Sequence, residues 1–107
     1  MASIKEWDVK SFEEATASGV ALVDFFAVWC GPCKMMMSVL EEAVAEFDES
    51  QVKVGKINID ECRELAVQYG IRTIPTFILF KDGQVADKLI GVQSRKALTN
   101  MIAGALE

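Results

Sequence analysis

Two cysteines stand three residues apart in the run Trp29-Cys30-Gly31-Pro32-Cys33, and no other residues in this chain are better suited to covalent chemistry. The run lies between a continuous apolar stretch, Val20 to Ala27, and a segment whose apolar residues recur at helical spacing. A Cys-X-X-Cys pair at such a junction puts one sulfur at the exposed tip and the other in the first helical turn. Unpaired backbone N–H groups and the helix dipole at that end favour a thiolate, the nucleophilic form of cysteine, at the tip. Cys30 is therefore the expected attacking sulfur and Cys33 the resolving one. Pro32 suits a helix start, where a missing N–H costs nothing. Gly31 leaves the tip open to a disulfide on another protein. The other chemistry open to this spacing is half of a metal site. Zinc or an iron–sulfur cluster needs about four ligands. The chain has no histidine and one further cysteine, Cys62, so a thiolate-rich site would have to recruit a carboxylate or a second chain. Spacing and context favour redox chemistry.

Asp24 is the lone carboxyl inside the apolar stretch. An ionised, unpaired carboxylate there is costly, so its pKa is expected to rise. One role for it is a general base that acts through water on the Cys33 thiol. The other is a structural carboxylate paired with Lys56. Lys56 sits in a strand-like run, where it either tunes Asp24 or solvates a sheet edge. Cys62, at the start of a short helix, is expected to be a buried structural thiol with no step to perform. Met35-Met36-Met37 does not read as a soft-metal site, because consecutive helical residues point in three directions; packing is the expected role.

The elements that must position these residues follow from patterning. Ser11 and Glu14 form a capping-box pair, which predicts a first helix from about Ser11 to Gly19. Val20 to Ala27 reads as a strand buried on both faces. Met36, Val39, Leu40, Ala43 and Phe47 fall on one helical stripe, so a long helix is expected from about Cys33 to Glu49. Val52 to Ile59 is strand-like. Asp60 is expected to cap a short helix that Gly70 ends. Thr76 to Lys81 and Gln84 to Ile90 flank Asp82-Gly83, a strong hairpin signal. Ser94 caps a last helix with the stripe Leu98, Met101, Ile102 and Ala105, and a short strand is expected near Ile4 to Trp7. The order βαβαβα followed by ββα predicts an α/β fold, with a parallel portion, crossover helices and a terminal antiparallel hairpin. Pairing order does not follow from the pattern.

At 107 residues, one domain over 1–107 is expected, and a composition 51% hydrophobic can build its core. No apolar block approaches the ~20 residues of a membrane-spanning helix. The net charge of −5 argues against nucleic acid and anionic membrane as partners. The absence of histidine excludes Ser-His and Cys-His catalysis and every imidazole metal site. Met1 to Glu6 shows no apolar run or cleavage pattern, so no signal or transit peptide is expected, and the cytoplasm is the expected location.

Several blocks occur in one order along nearly the whole chain: Val23-Asp24-Phe25, Trp29-Cys30-Gly31-Pro32-Cys33-Lys34, Lys56-Ile57-Asn58-Ile59-Asp60, Tyr69-Gly70-Ile71-Arg72, Ile74-Pro75-Thr76, Phe80-Lys81-Asp82-Gly83 and Gly91. Together they resemble the thioredoxin family. The resemblance implies the thioredoxin fold, a central mixed sheet with helices on both faces. It implies a general protein disulfide reductase in which Cys30 attacks and Cys33 releases the mixed disulfide, the two forming a redox-active disulfide. Recharging would come from a thioredoxin reductase, no bound cofactor is implied, and a monomer is expected. The resemblance also implies a cis proline at Pro75, which would expose the Ile74 backbone to an extended substrate segment. Trp29, Ile74, Gly91 and Val92 would form an apolar docking surface around the sulfurs. The chain departs from the family pattern at three places. Ser38 stands where many relatives have a helix-kinking proline, and can bend the helix only weakly by bonding a carbonyl one turn back. Phe26 replaces a frequent tryptophan, and Val28 is more apolar than usual. Oxidases and isomerases of the same fold usually carry histidine between the cysteines and an export signal, and neither is seen here. A module that uses the reduced fold only for docking is the reading from outside enzymology.

Overall fold

A computed structural model describes residues 1–107. In chain order its elements are β1 (Ile4–Glu6), α1 (Val9–Thr16), β2 (Val20–Phe26), α2 (Gly31–Val44), β3 (Lys53–Asn58), α3 (Arg63–Gln68), β4 (Thr76–Lys81), β5 (Gln84–Ile90) and α4 (Arg95–Ala105). The strands form one sheet in the order β1-β3-β2-β4-β5. β2 takes the middle because every one of its residues is apolar except Asp24, and all seven are buried. It pairs in parallel with β3, from Ala21↔Lys53 to Phe26↔Asn58. On its other side it pairs antiparallel with β4, from Val20↔Lys81 to Phe25↔Thr76. β1 adds in parallel to β3, and β5 closes the far edge antiparallel to β4.

Strand alternation sorts the core into two layers. Leu22, Val54, Phe77 and Leu79 face α2 and α4, where Met36, Leu40, Leu98 and Ile102 cover them. Val23, Phe25, Ile57, Ile78 and Phe80 face the other way, against Phe12 of α1 and Leu65 of α3. Asp24 is in the same alternating row as Leu22, on the α2 side. One glycine is required by close approach. The Trp7 indole lies directly against Gly55 of β3, and a Cβ there would overlap the ring.

The hairpin and last helix fall where the sequence puts them. Asp82 (φ 50°) and Gly83 (φ 83°) both take the left-handed conformation that a two-residue turn needs. Ser94 accepts the Ala97 N–H at 3.1 Å. Three boundaries differ from expectation. α1 starts at Val9, because Asp8 is the cap: its carboxylate accepts the Ser11 N–H at 2.9 Å while the Ser11 hydroxyl accepts the Asp8 N–H at 2.9 Å. Ser11 is thus the far half of a capping box and not the cap. α2 stops at Val44, short of Glu49, because Glu46 and Phe47 bond carbonyls three residues back and tighten the turn. Asp48 and Gln51 then close the turn into β3. α3 begins at Arg63 behind Cys62, which makes no side-chain cap bond, so Asp60 caps nothing. α2 runs unbroken through Ser38, whose hydroxyl makes only a long 3.5 Å contact to the Met35 carbonyl.

Candidate active site

The end of β2 delivers the chain through Ala27–Trp29 to Cys30, whose N–H bonds the Ala27 carbonyl at 3.2 Å. Cys30 is the N-cap of α2, in extended conformation, with Gly31 and Pro32 opening the helix. Its Sγ accepts the Cys33 N–H at 3.1 Å. This is the bond a Ser or Asp oxygen makes at an ordinary cap, here given to sulfur. Cys30 and Cys33 are joined as a disulfide, their Cα atoms 5.3 Å apart. Both are buried, and they form a small apolar cluster with Phe26 and Ala27, flanked by Ile59 and Ile74. Only an outer edge of Cys30, 5% exposed, meets solvent, and Cys33 is 2% exposed. Gly31 and Pro32 are exposed, and a Cβ on Gly31 would meet nothing within 4 Å.

Three further segments surround the sulfurs. Trp29 is exposed, its indole N–H bonded at 2.8 Å to the Asp60 carboxylate. Asp60 is itself held by an N–H bond to Asn58 Oδ1 at 2.9 Å. The Ile74–Pro75 peptide is cis. The Ile74 carbonyl oxygen lies 3.9 Å from Cys30 Sγ. The Gly91 N–H bonds the Pro75 carbonyl at 2.8 Å, which brings the exposed Ile90 and Val92 alongside.

Asp24 has no exposed surface, and neither carboxyl oxygen has a hydrogen-bond partner. Burial pushes its pKa from 3.8 to about 7, with the Lys56 charge opposing. Lys56 is its register partner on β3. Lys56 does not hydrogen-bond the carboxylate; its Nζ sits 5.2 Å from the Phe26 ring centroid. β3 lies between β1 and β2, so Lys56 is not an edge-strand charge. Lys56 and Cys33 line the same cavity, about 180 Å³, with Phe26, Ala27, Val28, Lys34 and Met37. No three Cys, Asp or Glu side chains converge on a metal-sized site.

The thioredoxin family model matches residues 3–104. The chain belongs to the thioredoxin family. A thioredoxin from Chlamydia caviae is 46% identical over 99 residues, spanning 92% of this chain and 95% of that one. One from Staphylococcus aureus is 44% identical over 102 residues, spanning 95% and 96%. Among solved structures, a mutant thioredoxin from Halobacterium salinarum matches with a TM-score of 0.84 at 36% identity, covering 97% of this chain and 89% of that one. Malassezia sympodialis thioredoxin matches at 0.88 and 32% identity, covering 100% and 94%. The mixed sheet with two helices on each face is the thioredoxin fold, and the intact Cys-X-X-Cys makes the chain a thiol–disulfide oxidoreductase.

Within this thioredoxin-family site, patterning did not reveal two side chains. Asp60 reads as a helix cap, and nothing local marks it as the acceptor for an indole 31 positions away. Gln93 carries no motif at all, yet it bonds the backbone of the loop beside Pro75. Cys62 lies in the other core layer, away from the active pair, its pKa raised by burial and then by Asp8, Glu61, Glu64 and Glu6.

Proposed function

We propose that this chain is a general protein disulfide reductase, with Cys30 as attacking thiolate and Cys33 as resolving thiol. The observation that carries the reading is the Cys33 N–H aimed at Cys30 Sγ at the start of α2. In the reduced protein the same donor, with the positive end of the helix dipole behind it, would stabilise a thiolate on Cys30. That thiolate attacks a substrate disulfide, forming a Cys30–substrate bond and releasing one substrate thiolate. Cys33, once deprotonated, attacks Cys30 Sγ and releases the second. Two electrons pass to the substrate, and the chain ends as the Cys30–Cys33 disulfide.

Asp24 fits the general base for the second step. A carboxyl titrating near 7 can both accept and return a proton at neutral pH. Cys33 and Lys56 line one cavity with room for a few waters, and Asp24, which does not line it, is the register partner of Lys56 on β3. Lys56 fits the charge that keeps Asp24 from rising further. In this reading Trp29, Gly31, Pro32, Ile74, Pro75, Gly91 and Val92 receive the substrate, the cis peptide presenting the Ile74 backbone to an extended segment. A thioredoxin reductase returns the two electrons, as the family resemblance implies, and the working unit in this reading is a cytoplasmic monomer.

The test is reduction of insulin disulfides by dithiothreitol. The wild-type chain should accelerate it, and Cys30→Ser, Cys33→Ser and the double variant should not. A wild-type chain that gives no more acceleration than the double variant would overturn the reading in favour of a docking module. Stoichiometric reduction of the Cys30–Cys33 disulfide by an NADPH- or ferredoxin-linked reductase checks the recharging step.

A further inference from the structure

Gln93 sits half-buried in the short loop between β5 and α4. Its Nε2 donates to two successive backbone carbonyls, Ile90 at 3.0 Å and Gly91 at 3.4 Å. Of the two polar atoms of a glutamine amide only the nitrogen donates, so two carbonyls at one end fix its orientation. The loop has few other ties. Ile90 ends the β4–β5 ladder at Thr76, Gly91 takes φ +85°, and helix α4 starts only after its Ser94 cap. One bond leaves the loop toward the active site, from the Gly91 N–H to the Pro75 carbonyl at 2.8 Å. Gly91 is thus held from both sides, its N–H by Pro75 and its carbonyl by Gln93. Ile90 and Val92, the residues on either side of it, are 58% and 53% exposed, so packing does not hold them.

We propose that Gln93 is a positioning residue for docking of protein substrates. It holds the Gly91–Val92 wall beside the Ile74–Pro75 peptide and Cys30, and does not touch the sulfurs. The proposal rests on the reductase reading above. Its physical content is preorganisation. A loop of exposed apolar residues that lacks internal ties must be ordered when a partner binds, and that ordering subtracts from affinity. An extended polypeptide lying across the wall would feel the loss. A small aromatic disulfide reaching only Cys30 would not.

Two variants separate the clamp from mere bulk. Gln93→Met keeps the chain length and removes both N–H donors. Gln93→Glu keeps the shape and turns an acceptor toward two carbonyl oxygens. Both should raise KM for a protein disulfide about two- to ten-fold, the range for losing ordinary hydrogen bonds, while kcat holds. Backbone hydrogen exchange at Gly91 should speed up in both. An unchanged KM in both variants would overturn the inference. So would a matching loss with a small aromatic disulfide, since that would place the effect at the sulfurs. A wild-type chain that cannot reduce the protein disulfide would overturn the reductase reading, and this inference with it. A working wild type beside variants of unchanged KM overturns the inference alone.

Discussion

Three cysteines occupy two electrostatic settings. Cys30 Sγ receives a backbone N–H from the first turn of α2, a 14-residue helix whose positive dipole end faces the sulfur. Cys62 also precedes a helix, but its side chain takes no cap bond. Exposure does not separate the two, at 5% each, but burial together with the carboxylates of Asp8, Glu61, Glu64 and Glu6 pushes the Cys62 thiol pKa upward. Reactivity follows thiolate fraction, so the two settings predict a nucleophile at Cys30 and an inert thiol at Cys62. Brief alkylation of the reduced protein at pH 7 should therefore modify Cys30 first and leave Cys62 untouched until the chain is unfolded. Cys62→Ala should reduce disulfides at the wild-type rate. A loss of turnover approaching that of Cys30→Ser would show that Cys62 takes part in the chemistry.

At the scale of elements, the site depends on β2 ending where α2 begins, and on β3 and β4 holding β2 in place. Gly55 shows how tightly the β1–β3 side is set. Trp7 is buried against its backbone, so Gly55→Ala must displace the indole. Overpacking of this kind costs about 1–3 kcal/mol, and the denaturant midpoint should fall accordingly; an unchanged midpoint would mean that the ring moves freely. Much of this framework was legible in the sequence because it is written locally. The apolar run of β2, the Asp82-Gly83 turn and the Ser94 cap each carry their own signal, and β4 and β5 span the residues that patterning assigns them. Strand order was not legible, because alternation says which face a residue takes and not which strand lies beside it. The α1 cap was misplaced by one box because Asp8 and Ser11 satisfy the same rule that Ser11 and Glu14 do. In the site, Cys30, Cys33 and Asp24 stood out by type and setting. Asp60 and Gln93 did not, since one bonds across the fold to Trp29 and the other bonds only to main chain.

For the molecule as a whole, one buried acid ties stability to pH. Asp24 titrates near 7 when folded, against an ordinary 3.8, with burial the larger influence and Lys56 the opposing one. Below the lower value the carboxyl is protonated in both the folded and the unfolded chain. Between the two values the unfolded chain has lost the proton and the folded chain keeps it, so stability falls as pH rises; above the upper value the deficit is complete. At about 1.4 kcal/mol per unit, the full deficit is roughly 4 kcal/mol at most. Asp24→Asn should thus be more stable than wild type at pH 8, by an amount that shrinks toward zero as pH falls below about 4. Denaturant titrations at the two pH values check this, and a variant less stable at pH 8 would contradict it. A carboxyl retained at such a cost is best explained by use, so the same variant should also release mixed disulfides more slowly. The account as a whole turns on which sulfur meets the substrate. Cys33→Ser and Cys30→Ser, each reduced and mixed with a protein disulfide, can be quenched and analysed by mass spectrometry. The account predicts a stable mixed disulfide through Cys30 in Cys33→Ser and almost none in Cys30→Ser; adducts that accumulate through Cys33 in Cys30→Ser, with none in Cys33→Ser, would contradict it.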